Sequence, residues 1–211
     1  SKQILILMTV ILVIILGGCT YVINKTSGQI YEQMSQMAQL YAQELDNRFL
    51  RISRNLFSTI MDTNETNSTF WGNVNLMKNG DYSEYAIGKL REEYFSSAWE
   101  YGTEYRIFLY THDTDKLYQL SLSSDGNYTM SPDIAASIRE QIDKLDEKTY
   151  AVKRKWDVLE CDNEVYICKI AQKNGIALGC IVNVKSILEP FSKLSLGKHG
   201  YVSLVDQDEV C

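Results

Sequence analysis

Residues 4–23 (ILILMTVILVIILGGCTYVI) carry no charge and are bracketed by Lys2 and Lys25. Coiled as an α-helix at about 1.5 Å per residue, the run covers roughly 30 Å, the hydrocarbon thickness of a bilayer. A single apolar run cannot close a barrel, so a helix is the form that satisfies its backbone in lipid. The expectation is a membrane-spanning helix over residues 1–24, with Ile4, Leu12 and Ile23 inside the span.

The rhythm then changes to a helical stripe. Ile30, Met34, Met37, Tyr41, Leu45, Phe49, Ile52, Leu56 and Ile60 follow one another at a mean step of 3.75 residues. That period suits a straight or slightly right-handed rod, and no proline breaks it. The pattern predicts a stalk helix over 25–62 that ends in the turn-rich DTNETN at 62–67. Its stripe packs on its own domain, on the stalk of a second copy in a homodimer, or on both.

Beyond the stalk, 70–78 reads as a short amphipathic helix and 84–99 as another, with Tyr85, Leu90, Tyr94, Phe95 and Ala98 on its apolar face. Alternation at 105–111 (YRIFLYT) and 117–122 (LYQLSL) around the turn at 112–115 predicts a hairpin. Ser131-Pro132-Asp133 opens a helix to about Leu145. Strands are expected at 155–161, 164–171 and 176–184, and a short helix at 187–196. If Lys173-Asn174-Gly175 is a three-residue loop, Cys168 stands opposite Cys180 as a pair of reduced, packed thiols.

Composition narrows the function. The chain of 211 residues has net charge −6 and no basic cluster after residue 25, which argues against nucleic-acid binding. No C-x-x-C, P-loop, GxGxxG or His/Glu metal pattern is present, so neither catalysis nor a cofactor is expected. The Asp113/Asp115 and Asp206/Asp208 pairs do not extend to a calcium loop and read as turn formers. The sequons at Asn24, Asn64, Asn67 and Asn127 matter only in a eukaryotic secretory setting. A start without Met and a stop just after the strand-like YVSLV at 201–205 suggest a fragment, with 197–211 beginning a second module.

Two resemblances follow from motifs. Leu16-Gly17-Gly18-Cys19 resembles the lipobox of bacterial lipoproteins, which would make Cys19 a lipidation site and the chain a surface binding module. The order helix, hairpin, helix, meander, helix implies an α+β domain with a five-stranded antiparallel sheet in order 2-1-5-4-3. With the stalk at 29–60, the small-residue strand around Leu178-Gly179-Cys180 and the ending LEPFSKLSLGKHGYVSLVDQDE at 188–209, this is similar to PAS-like, Cache-type extracytoplasmic sensors. The family often has Gly where Glu209 stands.

That resemblance implies a sensor domain over 63–196 and a cell-membrane receptor with the bulk of the chain outside the cytoplasm. Its stimulus would be a small molecule or a solute-binding protein. Its absent cytoplasmic output would be a histidine kinase first, or that of a chemoreceptor or membrane-bound transcriptional regulator. Amino-acid-binding members have an arginine and a tryptophan one residue apart; Arg154 and Trp156 resemble that pair, with Asp157 in place of the family's tyrosine. The plainer alternative makes Trp156 core and Arg154 part of a solvated Lys-Arg-Lys run. Tyr110, Tyr118 and Tyr166 either line a pocket on the sheet or are packed core.

Overall fold

The computed structural model describes residues 2–62, 69–78, 82–122, 126–145, 151–152 and 155–192. Arg154, Cys211, the Asp206/Asp208 pair and the expected second module lie outside them. Two compact units are distinguished, residues 1–44 with the segment from Pro190, and residues 45–189.

Helix α1 (Lys2–Met61) runs without a break through the apolar run and the stalk. From residue 11 onward it contains a window with mean hydropathy 1.4, none of it buried, so it is long and apolar enough to cross a membrane. The stripe divides along its length. Leu45, Ile52, Leu56 and Ile60 are buried, whereas Ile30 and Met37 are exposed. In the first unit Tyr41 meets Phe191 edge-on, with ring centroids 4.7 Å apart.

The second unit is built on an antiparallel sheet. Its strands are β1 (Tyr105–Thr111), β2 (Lys116–Gln119), β3 (Ala151–Val152), β4 (Asp157–Cys161), β5 (Glu164–Lys173) and β6 (Ile176–Asn183). The path is β2-β1-β6-β5-β3, with β4 also on β5. β3 and β4 share one edge of β5, pairing at Ala171–Gln172 and at Glu164–Cys168 respectively. Counted as one interrupted edge, they give the expected order 2-1-5-4-3.

One register differs from expectation. Lys173 pairs with Ile176, so the loop is the two residues Asn174 and Gly175, at φ +53° and +72°. Two successive left-handed residues make the two-residue turn whose twist matches that of the flanking strands. The slip flips faces. Cys168 pairs with Ile181 and Cys180 with Lys169, so the two thiols lie on opposite faces of the sheet. Both are buried and neither is in a disulfide; their Cβ vectors point apart, which no disulfide tolerates.

The faces are covered differently. On one, Phe108, Tyr110, Tyr166, Cys168, Ile170, Ala177 and Ile181 form a cluster with Ile134, Ile138 and Ile142 of α4 (Pro132–Asp143). Ser131 caps that helix by accepting from the Ile134 N–H at 3.3 Å. Gly179 lies beneath the Phe108 ring; a Cβ there would overlap the ring and stand 2.8 Å from the Lys169 carbonyl oxygen. On the other face, Phe49 of α1 meets Tyr105 at 6.2 Å, and the Lys173 ammonium sits 5.3 Å over the Trp71 ring of α2 (Thr69–Lys78). Helix α3 (Ser83–Tyr101) packs on α2 and ends at Gly102, φ +109°. Its buried positions include Ala86, Ile87, Leu90 and Tyr94; Tyr85, expected on the apolar face, is exposed.

Two element ends also differ. β2 stops at Gln119 because the Ser121 hydroxyl takes over the pairing with β1, accepting from the Ile107 N–H at 2.7 Å and donating to the Tyr105 carbonyl at 3.2 Å. Helix α5 (Val184–Ser192) begins earlier than the pattern suggested, because Asn183 Oδ1 accepts from the Lys185 N–H at 2.8 Å.

Candidate functional site

The residues singled out from sequence do not converge. Leu12, Cys19 and Ile23 are exposed on α1, which passes through Cys19 unbroken; Ile4 lies in the same helix. Trp156 precedes β4, and its ring lies 4.8 Å from that of Phe49, on the face that α1 covers. Tyr110 and Tyr166 stand on the opposite face, within the α4 cluster. Tyr118 pairs with Leu109 and so points away from Tyr110, which pairs with Leu117.

Tyr110 is held in place. Its hydroxyl donates to Asp115 Oδ1 at 3.0 Å, and Arg139 Nε donates to the same oxygen at 3.2 Å. Burial first, then the bond to Asp115, pushes its pKa up to about 12, so it stays a neutral donor. Asp113, the other aspartate of that turn, is paired with Lys78 at 3.0 Å. Among the described residues no group of three His, Cys, Asp or Glu is placed to hold a metal ion.

Tyr166 leads to a cleft. It is lined by Arg106 from β1, Ile181 and Asn183 from β6, Ile134 from the first turn of α4 and Ser186 from the first turn of α5, around a cavity of ≈ 100 Å³. An open mouth of ≈ 390 Å³ shares Arg106, Tyr166, Asn183 and Ser186, and adds Glu164, Lys185 and Glu189. The register explains the convergence. Arg106 pairs with Ile181 and Tyr166 with Asn183, so all four side chains emerge on one face at neighbouring rows.

The cleft's polar groups are unequally engaged. Glu164 Oε2 accepts from the Tyr166 hydroxyl at 2.9 Å and from Asn183 Nδ2 at 2.5 Å. Burial, and then that bond, raise the Tyr166 pKa above its ordinary value. Glu104 faces Arg48 at 3.6 Å. Arg106 alone brings an uncommitted guanidinium: among the described residues it has no hydrogen-bond or ion-pair partner. Chemically, the cleft offers a planar cationic fork beside two buried isoleucines.

Sequence reasoning named Tyr166 and missed Arg106, Asn183 and Ser186. A signal was present in YRIFLYT, where Arg106 shares its face with Phe108 and Tyr110, and in IVNV, where Asn183 shares its face with Ile181. A charged or amide side chain in register with a core face is a buried polar group that needs a reason. Comparison of the chain with protein-family models, curated proteins and solved structures finds no match.

Proposed function

We propose that this chain is the signal-sensing region of a membrane receptor. The domain stands outside the cytoplasm, takes a small molecule or a solute-binding protein as stimulus, and passes a helix movement to a cytoplasmic output, a histidine kinase foremost. The observation that carries this reading is helix α1. Its N-terminal part is long and apolar enough to cross a membrane and, among the described residues, is unburied from residue 11 onward; its C-terminal part carries residues buried in the second unit. The signal in this reading is a small shift or rotation of that helix, a common bistable element in switching transitions. The sheet order 2-1-5-4-3 behind a long N-terminal helix adds support, being the order that the likeness to PAS-like and Cache-type sensors implies.

The test is topological. Lys116 is exposed at the start of β2, while Cys161, Cys168 and Cys180 are buried. In a variant with Cys19 and Cys211 changed to serine, Lys116→Cys should react with a membrane-impermeant maleimide on intact cells. The protein should also stay with the membrane through an alkaline wash. Labelling only after lysis would place the domain inside and remove the reading.

A further inference from the structure

We infer that residues 101–104 form a two-position latch on α1. The Glu104 carboxylate either lies on Arg48 of α1 or crosses to Arg106 at the cleft, and the charge link between α1 and the start of β1 exists only in the first position. As a control point of the proposed receptor this rests on the reading above; the latch itself stands on the geometry alone.

The latch is made from the short link between α3 and β1. Tyr101 is buried and is tied twice to α1. Its carbonyl accepts from Arg48 Nη1 at 3.2 Å, and its hydroxyl accepts from Asn55 Nδ2 at 3.1 Å. Gly102 then turns the chain at φ +109°, and the Tyr105 N–H donates back to the Gly102 carbonyl at 3.2 Å. The turn lays the Glu104 carboxylate over Gly102, in the space that a Cβ there would fill. From that seat Glu104 Oε1 lies 3.6 Å from Arg48 Nη1. Glycine is needed twice at this point, for the angle and for the room.

Glu104 has a second guanidinium within its surroundings. Thr103, Glu104 and Arg106 all line the cavity of ≈ 100 Å³, where Arg106 is half-buried and uncommitted. One carboxylate thus stands between two arginines, one on α1 and one on β1. Neither position is locked. The Arg48 and Glu104 side chains are 26% and 29% exposed, and 3.6 Å is too long for a direct hydrogen bond. An ion pair of this kind shifts an equilibrium by about fivefold at most. The pair with Arg106 is of the same kind, so the two positions lie close in free energy and a small bias moves the balance. The other carboxylate beside Arg106, that of Glu164, is engaged by Tyr166 and Asn183.

The 211-residue chain in lipid nanodiscs is followed by hydrogen exchange at the amides of residues 45–55 and 101–105. Arg106→Gln leaves Arg48 without a competitor, so exchange in both segments should slow, by up to about fivefold. Arg106→Lys, a weaker partner for a carboxylate, should act in the same direction and by less. Arg48→Gln should speed exchange. The effect of Arg106→Gln should vanish when Glu104 is already Gln, because the carboxylate that both arginines share is gone. A fixed ion pair with no second position predicts instead that α1 ignores Arg106. The inference falls if neither substitution at Arg106 slows exchange, or if Arg106→Gln acts equally with and without the Glu104 carboxylate. The maleimide labelling described above decides the sensor reading separately. Opposite effects at Arg48 and Arg106 in a domain that labels only after lysis uphold the latch and remove the receptor. An outward-facing domain with no response at Arg106 removes the latch and leaves the receptor standing.

Discussion

Lys169 brings an ammonium onto a strand that is covered on both faces. It is only 3% exposed on β5, opposite Cys180, with its ammonium on the Lys155 carbonyl. Burial lowers its pKa from the ordinary lysine value, against a smaller opposing pull from Asp157. The folded chain therefore releases this proton at lower pH than the unfolded chain. The burial cost is present in full below the folded pKa, and stability rises with pH between that value and the unfolded one near 10.4. Lys169→Met should thus stabilise the domain at pH 7 by about 1 kcal/mol, and its advantage should shrink toward pH 10. Denaturant melts at both pH values check this; a gap independent of pH would remove the ammonium as its source. A lysine beside a cysteine in EVYICKIAQK reads as alternation with one wet face, but this strand is covered on both sides. Alternation loses its meaning there, which is why the faces of Cys168 and Cys180 were legible only once the turn was known.

At the scale of elements, period decided what could be read. The helices α1 and α4 and the strands β1, β5 and β6 follow from spacing. The ends of β2 and α5 do not, because a Ser121 hydroxyl and an Asn183 amide set them through bonds that no periodicity reports. The stripe on α1 shows the same limit: its spacing is uniform while its burial is not. Ile52→Ala, at a fully buried position, should cost about 2–5 kcal/mol of unfolding free energy. Met37→Ala, at a position 58% exposed, should stay within about 0.5 kcal/mol. Urea midpoints of the two variants decide it; equal losses would mean that the stripe is buried along its whole length.

For the whole molecule, the exposed half of that stripe sets the expectation for assembly. Cysteine scanning over residues 29–60 should give crosslinks between copies at a period of about three to four residues. They should be strongest around Ile30, Met34 and Met37 and absent at Leu45, Ile52, Leu56 and Ile60, which their own domain covers. A flat profile would exclude a paired stalk. The sheet order and the apolar run were legible at this scale because each rests on many residues at once. The cleft was not. It needs α4 and α5 to bring their first turns to the same end of the sheet, and no local pattern encodes that meeting.

The rims of the sheet carry a consequence for how copies of this protein meet. One rim is β2, with four residues; the other is divided between β3, with two, and β4, with five. On β5 only Lys169 and Ile170 separate the two pairings of that divided rim. Among the described residues, neither rim offers the long, even row of free amides and carbonyls that lets one chain zip onto another. Growth of one copy's sheet onto another's is thereby disfavoured, and encounters between copies are left to side chains, which can part again.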